Sequence, residues 1–312
     1  MDAFGLIPGL VTIAIPAYKR RWLSEAIDSA LSQDYKNIEV IIVDDHSPQN
    51  LREVVEPYLS DERVAYYYNE ENIGGQSVAN NWNRCLKYAK GEFFVLLCDD
   101  DVLMPQFVTV LLMLADKYPL CNIFHGSRLL HHEETGTDET SLFWPEYETF
   151  DDFLKAKSEV CRKHTITEFL YRTCILKNNP YKVFPVGYFS DDASILQMVK
   201  TGGMSSSMIP VCKVRISEEQ ISYSAKYAVE KTIAAIQYYD WYKIHIDSQM
   251  PQRRINESID DWAYSFFKPA SMCDKLRILY IVPSCVWSFK QKIFILLKTI
   301  LGTLYYNHNL CL

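Results

Sequence analysis

Residues 93–105 read FFVLLCDDDVLMP, a short apolar run set directly against three consecutive aspartates. A run of that length and apolarity suits a strand buried on both faces. The aspartates after it repel one another and add nothing to packing. Either they are solvated in a turn, or a positive charge sits among them. Working outward, the same strand signature appears at VTIAI (11–15), IEVIIV (38–43) and RVAYYY (63–68). Between these runs Trp22, Leu23, Ala26, Ile27, Ala30 and Leu31 repeat at helical spacing, as do Val78, Trp82, Cys85, Leu86 and Ala89. Strand–helix–strand alternation predicts an α/β fold: a Rossmann-like, mostly parallel, twisted sheet with helices on both faces.

Open α/β sheets bind ligands beyond the carboxyl ends of their strands. Three turns fall there: Pro16-Ala17-Tyr18-Lys19-Arg20, Asp44-Asp45-His46-Ser47 and Cys98-Asp99-Asp100-Asp101. Acid-rich turns thus converge on one edge. The natural neutraliser is a hard divalent cation, Mn²⁺ or Mg²⁺, which takes one or two carboxylates plus substrate phosphates. The plainer alternative is that Asp101 caps a helix beginning near Pro105, with its neighbours in water.

Composition narrows the classes. The 312 residues carry a net charge of -7, which argues against a nucleic-acid binder working by phosphate neutralisation. Nine cysteines are scattered without a C-x-x-C pair, a pattern of reduced thiols in a cytoplasmic protein. No basic region precedes the first apolar run, so no signal peptide is expected, and no apolar stretch is long enough to span a bilayer. Residues 131–160 are acidic and irregular, an excursion that could face substrate, and the adjacent His131 and His132 are expected to be exposed. GYFSDDASILQMVKTGG (187–203) places Asp191 and Asp192 at the start of a helical pattern. MIPVCKVR (208–215) reads as a strand, and the chain is helical from about residue 224. From Lys268 to Leu312 there are six basic residues and one acid, interleaved with large apolars. That tail suits peripheral contact with the inner face of a cytoplasmic membrane. A helical layer packed on the core fits it nearly as well.

The segments VTIAIPAYKR, AIDSALSQDYKNIEVIIVDDHS and NIGGQSVANNWNRCLKYAKGEFFVLLCDDDVLMP together resemble the inverting family-2 glycosyltransferases of the GT-A fold, of the type that builds bacterial cell-surface polysaccharide. The likeness runs over about residues 11–110 and resumes at 187–222. It implies a nucleotide-diphosphate sugar donor, a UDP sugar first among them, and a saccharide or lipid-linked acceptor. It assigns Pro16, Ala17 and Tyr18 to the nucleoside, and Asp44 and Asp45 to base or ribose contacts, with Asp45 reading the base. Gly74, Asn81 and Arg84 reach the donor. Asp99 meets ribose or phosphate and Asp100 is the principal metal contact. Asp101 is a further metal contact or a supporting group. Cys98 stands where the family often has aspartate, and a thiol there is read as packing. Asp192 aligns with the catalytic base and Asp191 is the runner-up; simple N-terminal capping of the helix is the alternative for both. Arg215 is placed at the diphosphate or the acceptor loop, and Ser217 stands where a histidine is frequent.

The expected organisation is a GT-A catalytic domain over 1–222, with a nucleotide half at about 8–130 and an acceptor half at 131–222. A C-terminal helical region over 223–312 ends in the basic tail at about 268–312. Two other functions compete. A sugar-phosphate nucleotidyltransferase would want a glycine-rich basic loop after the first strand, and PAYKRRW has no glycine. A catalytically lapsed sugar-binding domain would have no use for Asp192.

Overall fold

Strands covered on both faces need apolar side chains in both directions, and the first strands have them. β1 (Ile7–Ala17) buries Val11, Ile13, Ala14 and Ile15 completely. After α1 (Leu23–Leu31), which turns Leu23, Ala26, Ile27 and Ala30 inward, β2 (Ile38–Asp44) does the same with Val40 to Val43. A short helix α2 (Arg52–Val55) leads to β3 (Val64–Tyr68), and α3 (Ala79–Tyr88) leads to β4 (Gly91–Leu96). β5 (Val102–Leu103) follows the aspartates directly, before α4 (Phe107–Lys117). The protein is described by a computed structural model over residues 4–140, 143–159, 163–217, 220–222, 224–297 and 299.

The second half of the sheet is built differently. β6 (Ile123–His132) forms a hairpin with β7 (Thr137–Thr140); β8 (Tyr147–Glu148) and α5 (Phe150–Glu159) follow. A one-turn 3₁₀ helix at Ile166–Glu168 opens β9 (Phe169–Arg172), and α6 (Thr173–Asn178) and α7 (Ser190–Val199) precede β10 (Met204–Ile216). The sheet order is β3-β2-β1-β4-β9-β6-β10-β5, with β7 beside β6 and β8 beside β10. The first four strands are parallel, as the sequence predicts. β9 enters antiparallel between β4 and β6. Because it runs backwards, its first residues lie at the carboxyl edge of β4.

Two expectations are corrected here. The stretch 131–160 is not an irregular excursion, since it carries β7, β8 and α5. His131 and His132 are half-buried, their rings standing 2.6 Å from Asp138 and 3.3 Å from Glu139 of the hairpin partner.

Packing divides the chain into two units: Met1–Val183 with Ser190–Glu218, and Phe184–Phe189 with Glu219–Leu312. The second unit holds α8 (Ala228–His245), α9 (Gln252–Phe267), α10 (Met272–Ile281) and a further helix over 289–297. Its core is aromatic: Phe189 stacks on Tyr238 at 4.6 Å, and Trp287 meets Phe267 edge-on at 6.0 Å. On α10, Met272, Leu276 and Tyr280 are exposed at four-residue spacing. The end of the predicted basic tail, 298 and 300–312, lies outside the described residues. Among the described residues no helix is long and apolar enough to cross a membrane.

Candidate active site

The turn after β4 is buried, not solvated: Asp99, Asp100 and Asp101 are each 6% exposed or less. Asp99 Oδ2 accepts from the backbone N–H groups of Tyr18 and Lys19, both at 2.7 Å, which ties the β1 turn to the β4 turn. Lys19 Nζ lies 2.5 Å from Asp100 Oδ2, so a positive charge does sit among the aspartates. Burial lowers the Lys19 pKa, but the Asp100 and Asp99 charges outweigh it and hold the amine above its ordinary range. Asp101 accepts from Thr167 Oγ1 at 2.6 Å and from the Arg215 N–H at 3.0 Å. It does not cap α4; buried Gln33 does, its Oε1 accepting from Val108 N at 3.1 Å. Burial, then repulsion from Asp100, raises Asp99 to about 6 and Asp101 to about 8.

Asp44 and Asp45 bind their own loops. Asp44 accepts from Ser47 N (2.9 Å) and Tyr66 OH (2.6 Å). Asp45 accepts at Oδ1 from Asn69 Nδ2 (2.9 Å) and Ile73 N (3.0 Å), and at Oδ2 from Gly74 N (2.7 Å). Gly74 is required by that approach, because a Cβ there would stand 2.5 Å from Asp45 Oδ2. Asn81 joins the same network, donating to Val43 O at 3.1 Å and accepting from Asn69 at 3.1 Å. Arg84 lines a surface cleft with Asn72, Ile73 and Asn80, and no hydrogen bond among the described residues joins it to the aspartates. Arg215 is already engaged: Nε donates to Asp100 O (3.0 Å), Nη1 to Glu133 (2.5 Å) and Nη2 to Glu25 (2.8 Å). It orders the aspartate turn.

The second acidic centre is the first turn of α7. Asp191 and Asp192 are half-buried, and Lys157 of α5 donates to Asp192 Oδ1. His164 Nε2 stands 3.7 Å from Asp192 Oδ1 and 3.8 Å from Asp191 Oδ2. Burial and the Asp192 charge push Asp191 up to about 7. Burial acts on Asp192 too, but the Lys157 and His164 terminal groups outweigh it and leave its carboxyl below the ordinary value. One carboxylate of the pair is therefore held ionised while the other titrates near neutrality.

The donor set at the first centre fits a hard cation. Asp100 and Asp101 supply carboxylate oxygens, and one ligand atom from each, with one from Cys98, lies within 4.8 Å of the others. Burial raises the Cys98 thiol well above its ordinary pKa, so it stays protonated and adds little as a ligand.

Sequence reading missed four side chains of these centres. Lys19 was legible as a cation in the β1 turn but not as the partner of Asp100. Thr167, Lys157 and His164 carry no motif at all.

The family model for Glycosyl transferase family 2 matches residues 12–175, more than half of the chain. The chain belongs to that family. Within family 2 it is 33% identical over 109 residues to the GalNAc(5)-diNAcBac-PP-undecaprenol beta-1,3-glucosyltransferase of Campylobacter jejuni, a match covering 34% of this chain and 35% of that protein. It is 32% identical over 148 residues to the putative teichuronic acid biosynthesis glycosyltransferase TuaG of Bacillus subtilis, covering 47% and 57% of the two chains. The chain thus spans less than two thirds of the curated relatives it matches. In three dimensions it superposes on TarS residues 1–349 of S. aureus, solved in complex with UDP-GlcNAc, with a TM-score of 0.62 over 88% of this chain and 82% of that one. At 15% identity that likeness establishes the shared fold.

Proposed function

We propose that the chain is an inverting glycosyltransferase that moves a sugar from a nucleotide-diphosphate sugar to a hydroxyl of a saccharide or lipid-linked acceptor in cell-surface polysaccharide synthesis. The observation that carries this reading is the pair of unlike acidic centres in one packing unit of the chain. Three aspartates are buried and wired at the sheet edge, while a half-buried pair holds one carboxylate ionised. A UDP sugar is the first donor to test, because the TarS structure holds UDP-GlcNAc.

Asp100 and Asp101 would hold Mn²⁺ or Mg²⁺, which supplies Lewis-acid stabilisation of a departing diphosphate when bound. Asp99 fixes the Tyr18–Lys19 turn against the donor, and Lys19 offers a second positive charge there. Pro16, Ala17, Asp44, Asp45, Gly74 and Asn81 shape the nucleoside wall, the carboxylates acting through the loops they hold. The acceptor oxygen attacks the anomeric carbon and the bond from that carbon to the diphosphate oxygen breaks. Asp192 takes the hydroxyl proton, and Asp191 beside it tunes that carboxylate. General-base assistance of this kind contributes roughly 10²–10⁴-fold.

The unpaired cysteines, such as Cys85, Cys121 and Cys212, fit a reducing cytoplasm. The exposed Met272, Leu276 and Tyr280 beside Lys275 and Arg277, and Phe289 and Ile293 beside Lys290, support peripheral contact with an anionic membrane face. Titration with UDP, GDP, dTDP and CDP, with and without Mn²⁺, tests the donor reading. Manganese-dependent tightening for one nucleotide is expected. Silence with all four, in both conditions, would remove the reading's main support.

A further inference from the structure

The two acidic centres are joined by one segment that gives a side chain to each. Residues 163–168 lead into β9, whose antiparallel course sets them beside the end of β4. The pairing of Leu170 with Val95 brings Thr167 opposite the aspartate turn. There its hydroxyl donates to Asp101 Oδ2 at 2.6 Å and accepts from the Cys98 N–H at 3.3 Å. Three residues earlier, the His164 ring, its side chain 5% exposed, stands 3.7 Å from Asp192. It is held edge-on against Phe169 at 5.7 Å.

The segment is clamped at both ends by side chains of β6. Arg128 Nη1 donates to the Lys163 carbonyl at 3.0 Å and to Glu168 Oε1 at 2.6 Å. Glu168 is fully buried, meets His125 Nε2 at 3.0 Å, and closes a capping box with Thr165. A wholly buried carboxylate is costly unless it is paired and fully hydrogen-bonded. Here it is both, and its partners fix a turn that touches both centres. Nothing in the expected chemistry uses Glu168, Arg128 or His125 directly. Helix packing alone would not call for a buried ion pair at this place, since an apolar replacement is often as stable.

We propose that 163–168 is a positioning strut, in which Thr167 orients Asp101 on the metal side, His164 orients Asp192 on the base side, and Glu168 anchors both. The inference rests on the glycosyltransferase reading and deepens it. Its two arms act on different steps: Thr167 governs binding of the cation and nucleotide, while His164 governs turnover.

The test separates them. Bound Mn²⁺ is measured in the presence of UDP from the free-ion electron paramagnetic resonance signal, and turnover from UDP release. Thr167→Val and Thr167→Ala are expected to weaken Mn²⁺ binding about tenfold or more, with Thr167→Ser, which keeps the hydroxyl, close to the unmodified protein. His164→Asn is expected to bind Mn²⁺ and UDP normally and to turn over at least tenfold more slowly. Normal Mn²⁺ binding by both the valine and alanine variants, or equal loss in the serine variant, would overturn the metal arm. Unchanged turnover in His164→Asn would overturn the base arm. If the unmodified protein binds no Mn²⁺ with UDP, the donor-site reading itself fails and the metal arm falls with it.

Discussion

The aspartate triplet and the α7 pair are both clusters of like charge, yet they are built in opposite ways. At the triplet every carboxylate is buried and accepts hydrogen bonds or an ion pair from fixed neighbours: the Tyr18 and Lys19 amides, Lys19 Nζ, Thr167 and the Arg215 amide. Such a site is preorganised, with oxygens aimed before anything arrives. At the pair, the carboxylates are half-buried and opposed by one lysine and one neutral-leaning histidine, which burial lowers to about 4. That arrangement splits the two pKa values. A rigid acidic centre suits a cation and diphosphate; a split pair suits a proton.

The contrast can be broken by substitution. At the triplet the largest effect is expected at Asp100→Ala, with roughly a 10²–10³-fold loss of turnover, since a bound metal supplies several kcal/mol of charge stabilisation. Unchanged activity with an unchanged Mn²⁺ requirement would show that Asp100 is not the main ligand. Next comes Gly74→Ala. A Cβ 2.5 Å from Asp45 Oδ2 must displace that carboxylate or the 72–75 loop, at a cost of about 1–3 kcal/mol by denaturant titration. A neutral outcome would show that the loop yields and that the Asp45 contacts are slack.

Lys157→Met should sharpen the account of the pair. The ion pair with Lys157 lowers the Asp192 carboxyl, so its loss should move the acidic limb of kcat/KM upward. An unmoved limb would take Asp192 out of the profile. The smallest effect is expected at Asp191→Asn. Its folded pKa is raised to about 7, against an ordinary value near 3.8. Between those values the unfolded chain has released a proton that the folded chain keeps, so stability falls as pH rises through this window. Removing the carboxyl should therefore raise Tm by roughly 2–4 °C at pH 7.5 and change little at pH 4.

The same contrast explains how much the sequence reveals. β1, β2 and β4 are legible because strands buried on both faces must be apolar throughout, and their turns follow at the ligand edge. β9 is only FLYR, too short for a periodicity. β6 is hidden by His125 and Arg128, polar residues that are buried because they clamp Glu168. With those two strands unread, the strut between the centres is invisible, and so are Thr167 and His164. The pair at 191–192 is readable as a helix start, but Lys157 approaches it from a stretch that looks irregular. Asp101 resembles a helix cap in sequence because Asp before a helix usually is one; Gln33 takes that role from a distance no local pattern records.

The division of labour between the centres is tested most directly by measuring UDP·Mn²⁺ binding and UDP release together in Asp192→Asn and Asp100→Ala. The account predicts that Asp192→Asn binds as the unmodified protein does while turnover falls by roughly 10²–10⁴-fold, and that Asp100→Ala loses the manganese-dependent binding itself. Equal loss of binding in both variants, or near-normal turnover in Asp192→Asn, would contradict it.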